Sequence, residues 1–77
     1  MWEFYISICS FRQVQDFVRL ATNQPFEVTV GNENQHISGK DFMGMFSLDY
    51  SRPVAVRMRC TEEEFLAFRN AAGEFVA

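Results

Sequence analysis

Nothing in these 77 residues approaches the roughly 20 consecutive apolar positions that a bilayer-spanning helix needs. The chain opens directly on strand-like alternation with no basic flank, so no secretory signal is expected and the expected location is cytoplasmic. Positive charge is scarce. Seven Lys and Arg against ten Asp and Glu give a net charge of −3, too little cation to track a phosphate backbone, which argues against nucleic acid as a partner. Two cysteines, Cys9 and Cys60, make neither a disulfide framework nor a zinc site. Each stands on an apolar position just before a capping residue, and both are expected to be buried thiols in a reducing compartment. The alternative, a redox pair, requires two strand ends to be adjacent. There is one histidine, His36, with no second His or Cys at ligand spacing, so neither a metal nor a cofactor is expected. The four glycines are scattered and form no phosphate-cradling loop. No nucleophile, base and orienting group stand together, so the chain is not expected to be an enzyme.

What is present is apolar and aromatic. Hydrophobic residues make up 48% of the chain, with nine Phe and one Trp, which excludes a disordered segment. A chain this short buries only about 60% of its unfolded surface, so large rings are an efficient way to build its core. The length corresponds to one domain over residues 1–77, with no linker, repeat or low-complexity stretch.

Trp2, Phe4, Ile6 and Ile8 alternate with Glu3, Tyr5 and Ser7, the signature of a half-buried strand. Ser10 and Gln13 have capping-box spacing. Phe11, Val14, Phe17, Val18 and Ala21 then form the buried stripe of a helix whose outer face holds Arg12, Gln15, Asp16 and Arg19. Asn23-Gln24-Pro25 ends it. Phe26, Val28 and Val30 mark a second strand, Gly31 to Asn34 a hairpin turn, and Gln35 to Ser38 a short third strand with Ile37 inward and His36 on the open face. Asp41 caps a short helix, and 49–53 is a loop. Val54, Val56, Met58 and Cys60 mark a fourth strand. Thr61 and Glu64 form a second capping box, flanked by Cys60 and Phe65 as a hydrophobic staple. Phe65, Phe68 and Ala72 line the last helix, Gly73 is its expected C-terminal cap, and Phe75 and Val76 are expected to fold back on the core. The order is β-α-β-β-α-β-α. Four strands with one apolar face each call for a single layer of helices on that face.

Lys40-Asp41-Phe42-Met43-Gly44-Met45-Phe46-Ser47-Leu48 resembles the short second helix of HPr, the histidine phosphocarrier of the bacterial sugar phosphotransferase system. The family pattern there reads Lys-Ser-Ile-Met-Gly-Val-Met-Ser-Leu. The resemblance implies an α+β, HPr-like open-faced β-sandwich: a four-stranded antiparallel sheet covered on one face by three helices. It also implies where the family's chemistry sits. The family motif His-Ala-Arg-Pro places an acceptor histidine at the N-terminus of the first helix, where backbone amides and the helix dipole favour a phosphoryl anion. This chain reads Ser10-Phe11-Arg12-Gln13. Ser10 falls on the histidine position and Arg12 on the family's arginine.

Ser10 reads as a plain N-cap, since a serine phosphate ester is a poor phosphoryl donor. Arg12 is expected to be a solvated arginine, with anion binding as the alternative. Asp41 falls where many family members carry a regulatory serine. A permanent carboxylate could mimic the phosphorylated state, although Asp is equally good as an N-cap. The family shows the positions of Phe42, Met43 and Phe46 to its protein partners, and the expected partner-binding patch comprises Arg12, Gln15, Arg19, Phe42, Met43 and Phe46. The expected function is a small regulatory or protein-binding module that is not phosphorylated at the usual histidine. The alternative is an active phosphocarrier in the phosphoenolpyruvate-dependent system that uses a non-standard acceptor.

Overall fold

The alternation of apolar residues resolves into four strands and three helices in the computed structural model, which describes residues 1–77. In chain order they are β1 (Trp2–Ile6), α1 (Phe11–Thr22), β2 (Val28–Gly31), β3 (His36–Ser38), α2 (Phe42–Phe46), β4 (Val54–Met58) and α3 (Glu62–Ala71). The strands form one antiparallel sheet in the order β1-β4-β2-β3. Because β1 and β2 both run against β4, they are parallel to each other with β4 between them. Their link must therefore cross a face of the sheet, and α1 makes that crossing.

The register selects the face. Phe4 lies opposite Val56, Val56 beside Val30, and Val30 opposite Ile37. Trp2, Met58 and Val28 form the next inward row. Glu3, Arg57, Thr29 and Ser38 fall on the other side, with Tyr5, Ala55, Gly31 and His36 as their neighbouring row. The helices cover the apolar side and leave the second side open, as the resemblance implied.

Phenylalanines fill the space between the layers. Phe17 and Phe68 are fully buried, 6.1 Å apart between ring centroids. Phe68 also meets Phe4 and Phe26 edge-on, each at 5.9 Å, and Phe17 meets Phe75 at 5.8 Å. Edge-on contacts suit the ring quadrupole and add to the gain from burial itself. At the sheet's margin Trp2 stacks on Phe65 at 4.9 Å, and its indole N–H donates to the Cys60 carbonyl at 3.1 Å.

Local signals decide the helix ends. Thr61 and Glu64 make both bonds of the expected capping box. The Ser10 hydroxyl accepts from the Gln13 amide at 3.3 Å, but Gln13 Oε1 accepts from the Cys9 N–H at 2.6 Å, one residue earlier than a capping box requires. The two thiols are not buried as expected: Cys9 is exposed and Cys60 only half-buried. Cys9 has the parity of Glu3, Tyr5 and Ser7, so the alternation that buries Ile6 and Ile8 turns it outward. Burial, and next the Glu64 carboxylate, push the Cys60 thiol up. The cysteines follow opposite ends of the antiparallel β1–β4 pair, which removes the redox-pair alternative.

Phe75 and Val76 do fold back. Phe75 is buried, Val76 bridges to Ile6, and the Ala77 amide donates to Tyr5 O at 3.0 Å. This return path corrects the reading of Gly73. No glycine has positive φ, so Gly73 is not a left-handed cap; it opens a 3₁₀ turn over Gly73–Phe75. A β-carbon there meets nothing within 4 Å. Gly73→Ala should therefore stabilise the protein by about 0.4–1 kcal/mol, by restricting the unfolded chain. Urea denaturation measures it, and a lowered midpoint would show that the turn needs glycine.

Candidate functional site

The seam between α1 and α2 brings the exposed side chains of Phe11 and Met43 together with Phe42 and Phe46, and capping geometry builds it. Ser10 has extended backbone (φ −148, ψ 159), which turns the chain from the end of β1 into α1. Asp41 does the same for α2. Its Oδ1 accepts from the Gly44 amide at 3.1 Å, and Ser47 closes the other end through a bond from its hydroxyl to Gly44 O. Met45 points inward and is fully buried, anchoring this five-residue helix. The Tyr50 hydroxyl donates to Met45 O from the following loop. Burial pushes the Tyr50 phenol up to about 12, so it stays protonated and a donor throughout the neutral range.

With Met45 inward, Met43 must face outward, and it is 76% exposed. Phe42 and Phe46 lie on the flank towards α1, 4.6 Å apart and nearly perpendicular. Phe11 meets them there. It stacks on Phe46 at 4.5 Å and approaches Phe42 edge-on at 6.4 Å. Phe11 was expected in the buried stripe and is instead 61% exposed. As the first residue of α1 it sits at the end of the helix, where its ring rests on α2. Beside the rings, Ile8, Cys9, Ser10, Phe11, Val14, Phe46, Tyr50 and Ser51 line a shallow open groove of about 540 Å³.

The other expected site residues are distributed unevenly around this seam. Arg12 stands on the outer side of α1 with its side chain 88% exposed, 4.0 Å from Asp16 one turn on. Such a solvated pair holds its geometry weakly. Gln15 is exposed and four residues after Phe11, hence on the same flank. Arg19 borders a different depression, with Asp16, Leu20, Glu74 and Phe75, and is not brought to the seam. His36 is exposed on the open face, where it shares a depression with Thr29 and Arg57. The Arg57 guanidinium is in turn tied to Glu3 at 2.5 Å. No group of three His, Cys, Asp or Glu side chains is placed to hold a metal ion.

Sequence reasoning missed Phe11 and Tyr50 as parts of the site. Phe11 offered one signal: it occupies the first helical position, the weakest place in a buried stripe. Tyr50 offered almost none, because a loop tyrosine reveals its partner only when the loop is closed.

The cap at Asp41 makes a local prediction. Asp41→Ala should cost about 1 kcal/mol and fray α2, whereas Asp41→Ser should leave stability within a few tenths of a kcal/mol of the parent. Thermal denaturation of the two variants compares them, and equal losses would mean that the cap bond contributes nothing.

No protein-family model matches the chain, and no curated protein sequence matches it. By structure it is similar to HPr-C-His from Thermoanaerobacter tengcongensis, with a TM-score of 0.74 and 24% sequence identity, over 96% of this chain and 93% of that one. At that identity the likeness shows the fold, and the fold is that of HPr. No helix is long and apolar enough to cross a membrane.

Proposed function

We propose that this chain is a cytoplasmic HPr-like module that binds protein partners through the α1–α2 seam and does not relay phosphoryl groups. The observation behind this reading is the exchange of chemistry at the N-terminus of α1. An imidazole there could form a labile phosphoramidate. Ser10 occupies the place instead, and its hydroxyl already accepts from the Gln13 amide. The one imidazole of the chain belongs to His36, on the uncovered side of the sheet. What the seam does offer is contact surface: Phe11, Phe42, Met43 and Phe46 in the centre, with Arg12 and Gln15 alongside. A contiguous exposed patch of aromatic and Met side chains suits partner binding better than catalysis. On this reading the module is a binder and not an enzyme. Asp41 acts as the cap of α2 and leaves a fixed negative charge beside the patch.

Phe46→Asp tests the reading directly. A charge at the ring stack should abolish capture of the partner from cell lysate, while circular dichroism still shows the folded state. Unchanged capture would remove the patch. Phosphoryl transfer is tested separately, by incubation with phosphoenolpyruvate and the first enzyme of the sugar phosphotransferase system. No mass gain is expected. Label appearing on Ser10 or His36 and passing to a sugar-specific component would establish the phosphocarrier alternative.

A further inference from the structure

α2 is held against α1 at both ends, by rings at one and by a cation at the other. Phe46, its last residue, stacks on Phe11, the first residue of α1. At the opposite end Lys40, just ahead of the α2 cap, reaches past the end of α1, and its Nζ donates to Gln24 O at 2.8 Å. α2 and its lead-in therefore run antiparallel to α1 and span its length, about 18 Å for twelve residues. Gln24 is itself fastened to the helix. Its amide donates to Ala21 O at 3.1 Å and its side-chain Nε2 to Leu20 O at 3.2 Å. The Lys40 backbone has no slack either. The Gly39 amide donates to Val28 O at 2.7 Å, the Lys40 amide donates to Ser38 Oγ at 3.1 Å, and Asp41 caps α2. Neither ion pair of the molecule includes Lys40, so its half-buried ammonium has the Gln24 carbonyl as partner. A cation there also faces the negative end of the α1 dipole.

We propose that Lys40 is a positioning residue for the patch, whose ammonium ties the lead-in of α2 to the C-terminal end of α1 so that the two helices present their rings as one rigid surface. The inference rests on the patch reading above and names what sets the patch's shape. A helix of five residues has no stability of its own and takes its place from tertiary contacts. Its C-terminal half is held by Met45 in the core, by the Tyr50 hydroxyl on Met45 O and by the stack of Phe46 on Phe11. Phe42, at the other end, approaches Phe11 edge-on at 6.4 Å, and the Lys40 bond is what fixes that end to α1. Hydrogen bonds with a charged donor are about twice as strong as neutral ones. Releasing this one frees the first turn of α2, and Phe42 leaves the other rings while Phe46 stays.

Amide hydrogen exchange, which reports local opening, is the test. Gly44 and Met45 are the reporters, because both of their amides donate to Asp41, next to Lys40. Lys40→Met keeps the apolar stem and removes the charged donor. It should speed exchange at both amides about tenfold, the effect of losing one charged hydrogen bond, and leave Val56 in β4 unchanged. Lys40→Arg, which keeps a charged donor, should recover most of the protection. Gln24→Ala approaches the clamp from the α1 side. It removes the bond to Leu20 O that steadies the Gln24 backbone, so the same two amides should exchange faster although residue 24 lies outside α2. The double variant should exchange no faster than Lys40→Met alone, because both substitutions break one linkage. Unchanged rates at Gly44 and Met45 in Lys40→Met, a rise shared equally by Val56, or additive effects of the two substitutions would each overturn the proposal. If Lys40→Met loosens α2 while Phe46→Asp leaves capture unchanged, the clamp stands and the patch reading falls. Fixed exchange rates with Phe46-dependent capture refute the clamp and leave the binding function standing.

Discussion

Replacing Phe68 by Ala is expected to cost about 3–5 kcal/mol, the usual range for removing a buried phenylalanine ring. The position justifies that range. Phe68 is 1% exposed, and its ring lies within 6.1 Å of Phe4, Phe17 and Phe26. Those neighbours come from β1, α1 and the link into β2, so the vacated space would be walled by rigid elements that cannot collapse into it. A domain of this size has roughly 4–12 kcal/mol in total, taken at 0.05–0.15 kcal/mol per residue. Phe68→Ala should therefore remove at least about a quarter of the protein's total stability. Urea denaturation followed by circular dichroism measures the loss, with the half-exposed Leu66→Ala as a control expected to change little. A Phe68→Ala loss below about 1 kcal/mol would mean that the three-ring contact is not the centre of the core.

Gly31→Ala should be the second most damaging change, although it adds one methyl group to a turn. A β-carbon at Gly31 would lie 2.1 Å from the Gln35 carbonyl oxygen and 2.9 Å from His36 Cα. Both are backbone atoms, so the hairpin itself has to move. The turn is tightly made: the Asn32 amide donates to Gln35 O at 2.9 Å, and Asn32 Oδ1 accepts from the Asn34 and Gln35 amides. Gly31 has no positive φ, so the need for glycine there is one of space. Forcing atoms into such a contact costs about 1–3 kcal/mol. At about 4–8 °C per kcal/mol, the melting temperature should drop by about 4–24 °C. Calorimetry reads the shift, and hydrogen exchange at Asn32 localises it. An unchanged melting temperature would show that the hairpin relaxes freely.

The fold was readable because its strongest signals are local. Half-buried strands impose a period of two, and the pairing of Phe4, Val56, Val30 and Ile37 in one row is that period seen across the sheet. The box at Thr61 and Glu64 spans four residues and needs nothing from the rest of the chain. Most of the misread residues depend on where distant segments arrive. Cys9 is the local exception: it follows buried Ile8 and falls on the outward parity of Ser7. Gly73 is no left-handed cap because the chain turns at once to bring Phe75 under Phe17. Phe11 has the spacing of a core residue, yet α2 and not the sheet lies beneath it. The site was half readable for the same reason. Phe42, Met43 and Phe46 could be read from a helix too short to bury both sides, whereas Phe11 and Tyr50 join them through packing alone. Arg19, which shares a helix face with Arg12 in projection, looks over another depression.

The stack of Trp2 on Phe65 gives the molecule a built-in optical reporter. Trp2 is the chain's single indole, and its N–H is held by the Cys60 carbonyl where α3 begins. Emission from that ring will follow the docking of α3 against the first strand. The aromatic seam between the other two helices contains no indole, so events there leave this emission unchanged unless the whole scaffold loosens. One fluorescence trace can thus separate a variant that has lost its binding surface from one that has lost its fold.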